Sequence, residues 1–158
     1  MIDEILKKYP NDVRVVIKQF PLSFHKQARK ASLYALAADR QGKYHEMSNM
    51  IFCGSDFWEA PEPRDYDKGC NGYRKLKSNE DLPRQYAEEM GLDMAIFDQD
   101  VQDPTLGARI DREINQLQQS GIPRIAAPKF LINGKEPQGR SLEIYSAIID
   151  AELKKKKK

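Results

Sequence analysis

Cysteine and histidine are scarce in this sequence, which contains two residues of each type. His25 and His45 do not stand at a metal-ligand spacing from either cysteine, so we expect no metal site. A Cys-x-x-Cys pattern, in which two residues separate the cysteines, is absent. The glycine-rich patterns that bind nucleotide phosphates and the Gly-x-Ser-x-Gly pattern of serine hydrolases are absent as well. The sequence therefore gives no local support for nucleotide binding or serine hydrolysis, and we expect no cofactor.

Long apolar runs are also missing, and nothing approaches the roughly 20 apolar residues of a membrane-spanning helix. We therefore expect no membrane span. The N-terminal residues lack the basic start, apolar centre and cleavage site of a secretory signal peptide. With 158 residues the chain suits a single domain, because single hydrophobic cores are commonest at about 100–150 residues.

The net charge of +2 conceals a mildly acidic body, because the lysines at 154–158 supply five of the 26 basic residues. The other 21 basic residues stand against 24 acidic ones, which leaves a net charge of −3. A terminal lysine run can bind nucleic acid or an anionic membrane surface. Such tails are more often frayed and solvated, so we assign 154–158 no function and expect no nucleic-acid partner.

Apolar residues at helical spacing predict seven helices. The first covers residues 1–9 and has no visible N-cap, two more fill 24–52, and the others follow in the C-terminal half. The sequence also predicts where the helices begin and end. Gly42 separates two helices, Gly91 and Gly121 end helices, and the predicted N-caps are Asp81, Asp93, Asp103 and Ser141.

Three segments predict β-strands. Residues 13–20 are mostly apolar and rich in β-branched side chains, which suits a strand covered on both faces. Residues 130–132 predict a short strand. The following Asn133-Gly134 is a strong hairpin signal, which predicts that 135–138 return as an antiparallel strand. The order is helix, strand, helical block, β-hairpin and helix, so we expect an α/β fold.

Residues 53–78 lose periodicity and collect glycine, proline and aromatic residues, which predicts a long ordered loop. A disulfide between Cys53 and Cys70 would close an 18-residue ring and contribute about 3 kcal/mol of stability. We expect this bridge in an oxidising compartment and two unpaired thiols in the cytosol. A redox pair is the third alternative, although no neighbouring lysine, histidine or helix start lowers either pKa.

Several short segments occur in an order typical of one known family. They lie at 15–22, 42–47, 86–93, 97–100 and 121–134, the last containing Ala126-Ala127-Pro128, Phe130 and Asn133-Gly134. Together they resemble the DsbA-like branch of the thioredoxin superfamily, whose members are thiol:disulfide oxidoreductases. The similarity spans most of residues 1–153.

The resemblance implies a thioredoxin-like part at 1–22 and 123–153, and a helical insertion at 23–122 that includes the loop at 53–78. It also implies a cis peptide bond before Pro128 and a substrate-binding role for the backbone of Ala127 and Pro128. An ordinary turn proline leading into an edge hairpin is the alternative. Relatives usually act outside the cytoplasm, which implies a periplasmic or other extracytoplasmic location.

Members of this family carry a Cys-x-x-Cys at the start of their first helix, after a strand in the middle of the sheet. There the helix dipole and unpaired backbone N–H groups stabilise a thiolate. This sequence has no such pair and begins inside the helix. The resemblance therefore implies that the first strand and the start of the active-site helix are missing, and that the catalytic cysteines are not in this chain.

Three functional hypotheses follow. The first is a DsbA-like oxidoreductase family member that is inactive as this chain and whose partners are thiol-containing proteins or peptides. The second is a non-catalytic binding or assembly protein that dimerises when an open sheet edge, at 13–20 or 130–132, takes a strand from a neighbour. The third is a redox-sensing switch at Cys53 and Cys70.

Overall fold

The computed structural model describes residues 1–54, 79–122 and 125–156. In these ranges there are seven helices: α1 (Ile2–Lys8), α2 (Ala28–Arg40), α3 (Tyr44–Cys53), α4 (Leu82–Glu89), α5 (Met94–Gln102), α6 (Pro104–Gln118) and α7 (Leu142–Lys156). Every helix predicted from apolar spacing is confirmed. None of them is long and apolar enough to span a membrane.

Aspartate caps begin two of the helices as predicted. The Asp93 carboxylate accepts hydrogen bonds from the N–H groups of Ala95 and Ile96, at 3.0 and 3.1 Å. Asp103 accepts one from Thr105 at 2.8 Å, which is the main reason why its pKa falls to about 2. Both aspartates have the extended backbone that lets a capping side chain fold back onto the first turn.

The predicted cap at Asp81 is wrong. Its backbone is not extended, with φ −93° and ψ 0°, and its carboxylate makes no capping hydrogen bond to α4. It accepts instead from Nζ of Lys30 at 2.7 Å, and this hydrogen bond lowers the pKa of Asp81. The residue therefore connects α4 to α2. The helix α4 begins at Leu82 without a side-chain cap and has Pro83 in its first turn.

The expected α/β fold is also wrong, because the described part of the chain is helical and contains no β-strand. Residues 13–20 run without a turn or bend, yet no backbone hydrogen bond joins 13–17 to another described residue. Residues 130–132 and 135–138 contribute one antiparallel bridge, between Ile132 and Lys135. A strand exists only where a neighbour takes up its backbone groups. Among the described residues no backbone neighbour does so for 13–17, or for 130–138 beyond the single bridge.

The predicted turn at Asn133-Gly134 is present even though the hairpin is not. Both residues have positive φ, 48° and 80°, as the tight two-residue hairpin turn requires. The turn brings the Ile132 N–H to 2.8 Å from the Lys135 carbonyl oxygen, and the Lys135 N–H to 3.0 Å from the Ile132 carbonyl oxygen. Pro137 follows and cannot donate a further ladder hydrogen bond.

The chain forms two compact units, Met1–Lys18 with Pro123–Lys158 (unit 1) and Gln19–Ile122 (unit 2). In unit 2, α2 packs against α3, α4, α5 and α6. The largest fully buried side chains of this core are Phe97, Leu36, Met47, Met50, Ile110 and Pro83. The Tyr34 ring stacks on Phe97 at 5.7 Å between ring centroids. Unit 2 is thus a helical bundle organised around α2.

Unit 1 has a smaller core, formed where α1 packs against α7. Its buried apolar residues are Ile5, Tyr9, Tyr145 and Ile149, with Val13, Phe130 and Ile132 half-buried against them. The Tyr9 hydroxyl donates to Asp150 Oδ1 at 2.9 Å, and Lys8 Nζ donates to Ser146 Oγ at 2.8 Å. Polar contacts therefore border the apolar contact between the two helices.

Candidate functional site

Ala127 and Pro128, the predicted substrate-binding residues, lie in an exposed loop of unit 1. The peptide bond between them is cis. All four residues at 125–128 are exposed, and 125–131 make no backbone hydrogen bond to the backbone of a described residue. The loop therefore presents the N–H and C=O groups of Ala126 and Ala127 to solvent.

Contacts immediately after the loop hold its C-terminal end. Arg140 Nη2 donates to the Pro128 carbonyl oxygen at 3.2 Å. Lys129 Nζ lies 2.6 Å from Glu136 Oε1, and the Phe130 ring packs on Tyr145 at 5.6 Å. An exposed backbone that is anchored at one end is suited to pairing with an extended peptide, because main-chain groups supply the affinity in such complexes.

A cavity of about 740 Å³ lies in the same unit. Residues 13–16, which belong to the predicted strand at 13–20, line this cavity. Residues 129–133, which include the predicted strand at 130–132, line it as well. Ile5 of α1 and Tyr145 and Ile149 of α7 contribute further apolar side chains to its lining. The volume is within the range of small-molecule and cofactor pockets, about 300–1,000 Å³.

Glu152, one of the charged residues that line this cavity, is paired within unit 1. Glu152 lies 2.8 Å from Lys135 Nζ and 2.7 Å from Lys155 Nζ, and it accepts from Asn133 Nδ2 at 3.4 Å. The hydrogen bond from Lys135 is the largest cause of a pKa lowered to about 2 for this carboxyl group. Glu152 is therefore ionised at neutral pH and connects α7 to the Asn133-Gly134 turn.

Cys53 is buried and disulfide-bonded, whereas Cys70 lies outside the described residues. The bridge between the two cysteines stays a prediction. Cys53 is the last residue of α3, followed by Gly54. A helix C-terminus disfavours negative charge, which is the opposite of the N-terminal position that stabilises a reactive thiolate. The position of Cys53 thus favours a structural role over a catalytic one.

The two histidines make local contacts. The His25 ring packs against Phe24 at 4.5 Å, and His45 Nε2 lies 3.0 Å from Asn49 Nδ2. Within 1–54, 79–122 and 125–156, no group of three or more histidine, cysteine or acidic side chains could hold a metal ion.

Arg140 and the cavity could not be identified from the sequence. Arg140 stands between a glycine and the capping Ser141, a context that describes many surface arginines. Its contact with Pro128 depends on how the chain folds back after the Asn133-Gly134 turn. The cavity likewise requires segments more than 100 residues apart, 13–16 and 129–133, to meet.

A protein-family model described as Thioredoxin matches residues 1–151 of the chain. The match covers nearly the whole sequence and confirms the predicted thioredoxin-like family. No curated protein and no solved structure matches the chain.

Proposed function

The chain belongs to the thioredoxin family, and from this we propose that it is a DsbA-like member of the thiol:disulfide oxidoreductase class whose loop at 125–128 binds thiol-containing peptides. The observation that carries the proposal is the exposed, unpaired backbone of Ala126 and Ala127 beside Pro128. A peptide in extended conformation offers the complementary row of N–H and C=O groups. Binding through the main chain suits many different substrate sequences.

Arg140 is proposed to position this loop. Its guanidinium donates to the Pro128 carbonyl oxygen, and that contact limits the movement of the residues that meet the peptide. A loop held in its binding conformation loses less conformational entropy on binding than a mobile one. Arg140 acts in this proposal through the loop and does not contact the substrate.

The chain is proposed to bind peptides without exchanging disulfides. In the exchange reaction a thiolate attacks a disulfide sulfur, forms a mixed disulfide and releases the other sulfur as a thiolate. A second nearby cysteine then resolves the mixed disulfide. The sequence contains no Cys-x-x-Cys pair, and the helix-terminal, buried Cys53 is a poor substitute. We propose an oxidising, extracytoplasmic location, where a disulfide at Cys53 would persist.

Peptide binding is tested by titrating the ¹⁵N-labelled chain with a short Val- and Thr-rich peptide that contains one central cysteine. We expect the amide signals of Ala126 and Ala127 to shift. In the control peptide, which has the same sequence, one residue beside the cysteine is N-methylated, and the loss of one hydrogen bond should weaken binding about 2- to 10-fold. Equal affinity for both peptides, or shifts confined to other residues, would contradict the proposal.

Disulfide exchange is tested by following the reduction of a disulfide-containing peptide by dithiothreitol, with and without the chain. We expect the two rates to be equal. An acceleration that disappears when Cys53 and Cys70 are both replaced by serine would assign redox activity to that pair and contradict the proposed lack of exchange. The peptide titration is unaffected by this outcome, so binding and exchange are judged separately.

A further inference from the structure

Residues 13–17 of unit 1 form an apolar segment whose backbone has no hydrogen-bond partner in the backbone of the residues that the structure describes. Four of the five residues are valine or isoleucine, and they favour β-strands. Val15, Val16 and Ile17 are 37%, 61% and 45% exposed. The segment runs without a turn or bend, and its backbone makes no hydrogen bond to a described backbone group. Such a segment is a template for another strand.

Space for a second strand lies beside this segment. Residues 13–16 line the 740 Å³ cavity, whose other walls include Phe130 and Leu131. Leu131 is itself 42% exposed. A strand placed along 13–17 would cover valine and isoleucine side chains that now contact water, and burial of such apolar surface is favourable.

The charges that bracket the segment indicate which strand fits. Asp12 precedes it, Lys18 follows it, and Arg14 lies within it. A second copy in antiparallel orientation places the negative end of each segment beside the positive end of the other. Opposite charges that face each other across two strands stabilise the pair, whereas like charges destabilise it.

The same charges select one register. A two-fold axis through the pair requires one residue to face its own counterpart. With Arg14 at this position two arginines face each other, and with Val16 there Arg14 faces Lys18. With Val15 at the axis, Asp12 faces Lys18 at both ends and Val13 faces Ile17. Of these three registers, only the one centred on Val15 places no like charges opposite each other.

We propose that two copies of this chain associate through residues 12–18 as an antiparallel pair centred on Val15. Val13, Val15 and Ile17 of both copies then share one face, because alternate residues of a strand point to the same side. Val16 and Arg14 face each other on the opposite side, where the arginine stem covers the valine. The dimer is independent of peptide binding at 125–128.

The association is tested by sedimentation equilibrium of the full chain over a range of concentrations. We expect a monomer–dimer equilibrium. Asp12→Lys and Lys18→Asp should each weaken it about tenfold, because each puts like charges opposite at two positions. The double variant, Asp12→Lys with Lys18→Asp, restores opposite charges and should return the dissociation constant to within about twofold of the original. A monomer at every concentration, or a double variant no tighter than the single ones, overturns the proposal.

The register is tested by three single-cysteine variants, Arg14→Cys, Val15→Cys and Val16→Cys. Residues directly opposite in an antiparallel pair have Cβ atoms about 4.5–5.5 Å apart, close to disulfide geometry. Under mild oxidation Val15→Cys should therefore form a covalent dimer at least about fivefold faster than the other two variants. The unsubstituted chain controls for cross-linking through its own cysteines. Fastest cross-linking at position 14 or 16 overturns the proposed register.

Discussion

Replacement of Phe97 with alanine should lower the free energy of unfolding of unit 2 by about 3–5 kcal/mol. Phe97 of α5 is fully buried in the core of the bundle, and its ring stacks on Tyr34 of α2. Alanine removes this ring and leaves a cavity among helices that are close-packed around α2. The loss is a large fraction of the 5–15 kcal/mol by which folded domains are typically stable.

Ile96 is the matched control for Phe97, because it is the preceding residue of the same helix and is 49% exposed. Ile96→Ala changes helix propensity and side-chain size at a position that water already reaches. We expect a loss of less than about 1.5 kcal/mol for this variant. Urea unfolding followed by far-UV circular dichroism measures both variants, and similar losses would contradict the assigned burial of Phe97.

Replacement of Ile5 with alanine should lower the free energy of unfolding of unit 1 by about 2 kcal/mol, the low end of the range for a buried isoleucine. Ile5 of α1 is 6% exposed and packs with Tyr9, Tyr145 and Ile149. It also lines the 740 Å³ cavity. Its neighbours can relax towards the space that the variant leaves, so the cost should be smaller than in the closely packed core of unit 2.

Leu6 follows Ile5 in α1 and is 38% exposed, which makes Leu6→Ala the control for that site. Both substitutions shorten an aliphatic side chain to alanine in the same short helix, and the gain in helix propensity is slightly larger for Ile5→Ala because isoleucine is β-branched. We expect the loss for Leu6→Ala to be at most about half of that for Ile5→Ala. Amide hydrogen exchange of α7 provides the measurement, since α7 packs directly against α1.

The two proposed binding surfaces use the same physical feature, backbone groups that the described fold leaves unpaired. The loop at 125–128 is short and offers unpaired N–H and C=O groups, which suits the transient binding of a peptide. Residues 13–17 add a row of exposed valine and isoleucine side chains, which suits a longer-lived association between copies. Dimer formation is therefore measured by sedimentation equilibrium of variants within 12–18. Peptide binding is measured separately, by the amide signal of Ala127.

Resemblance to a known family led to the part of the site that a short motif can specify. Ala127 and Pro128 were assigned from the Ala126-Ala127-Pro128 motif, and the structure places both in an exposed loop. Arg140, which contacts this loop, has no motif of its own, and its contact spans 12 residues of chain. The cavity beside 13–16 arises from packing of α1 and α7 against segments distant in sequence.

The sequence by itself determined the helices and the turn at Asn133-Gly134. Helical hydrogen bonds form within one segment, so apolar spacing and the caps at Asp93 and Asp103 suffice to predict them. The turn likewise depends on two adjacent residues that accept positive φ. Only the tertiary structure decided the conformation of 13–17 and 130–132. Both have strand-like composition, but apart from the bridge between Ile132 and Lys135 their backbone makes no hydrogen bond to the backbone of another described residue. A helix can be predicted from one segment because its hydrogen bonds lie within that segment. A strand requires hydrogen bonds to a second segment, and the sequence of the first does not identify the second.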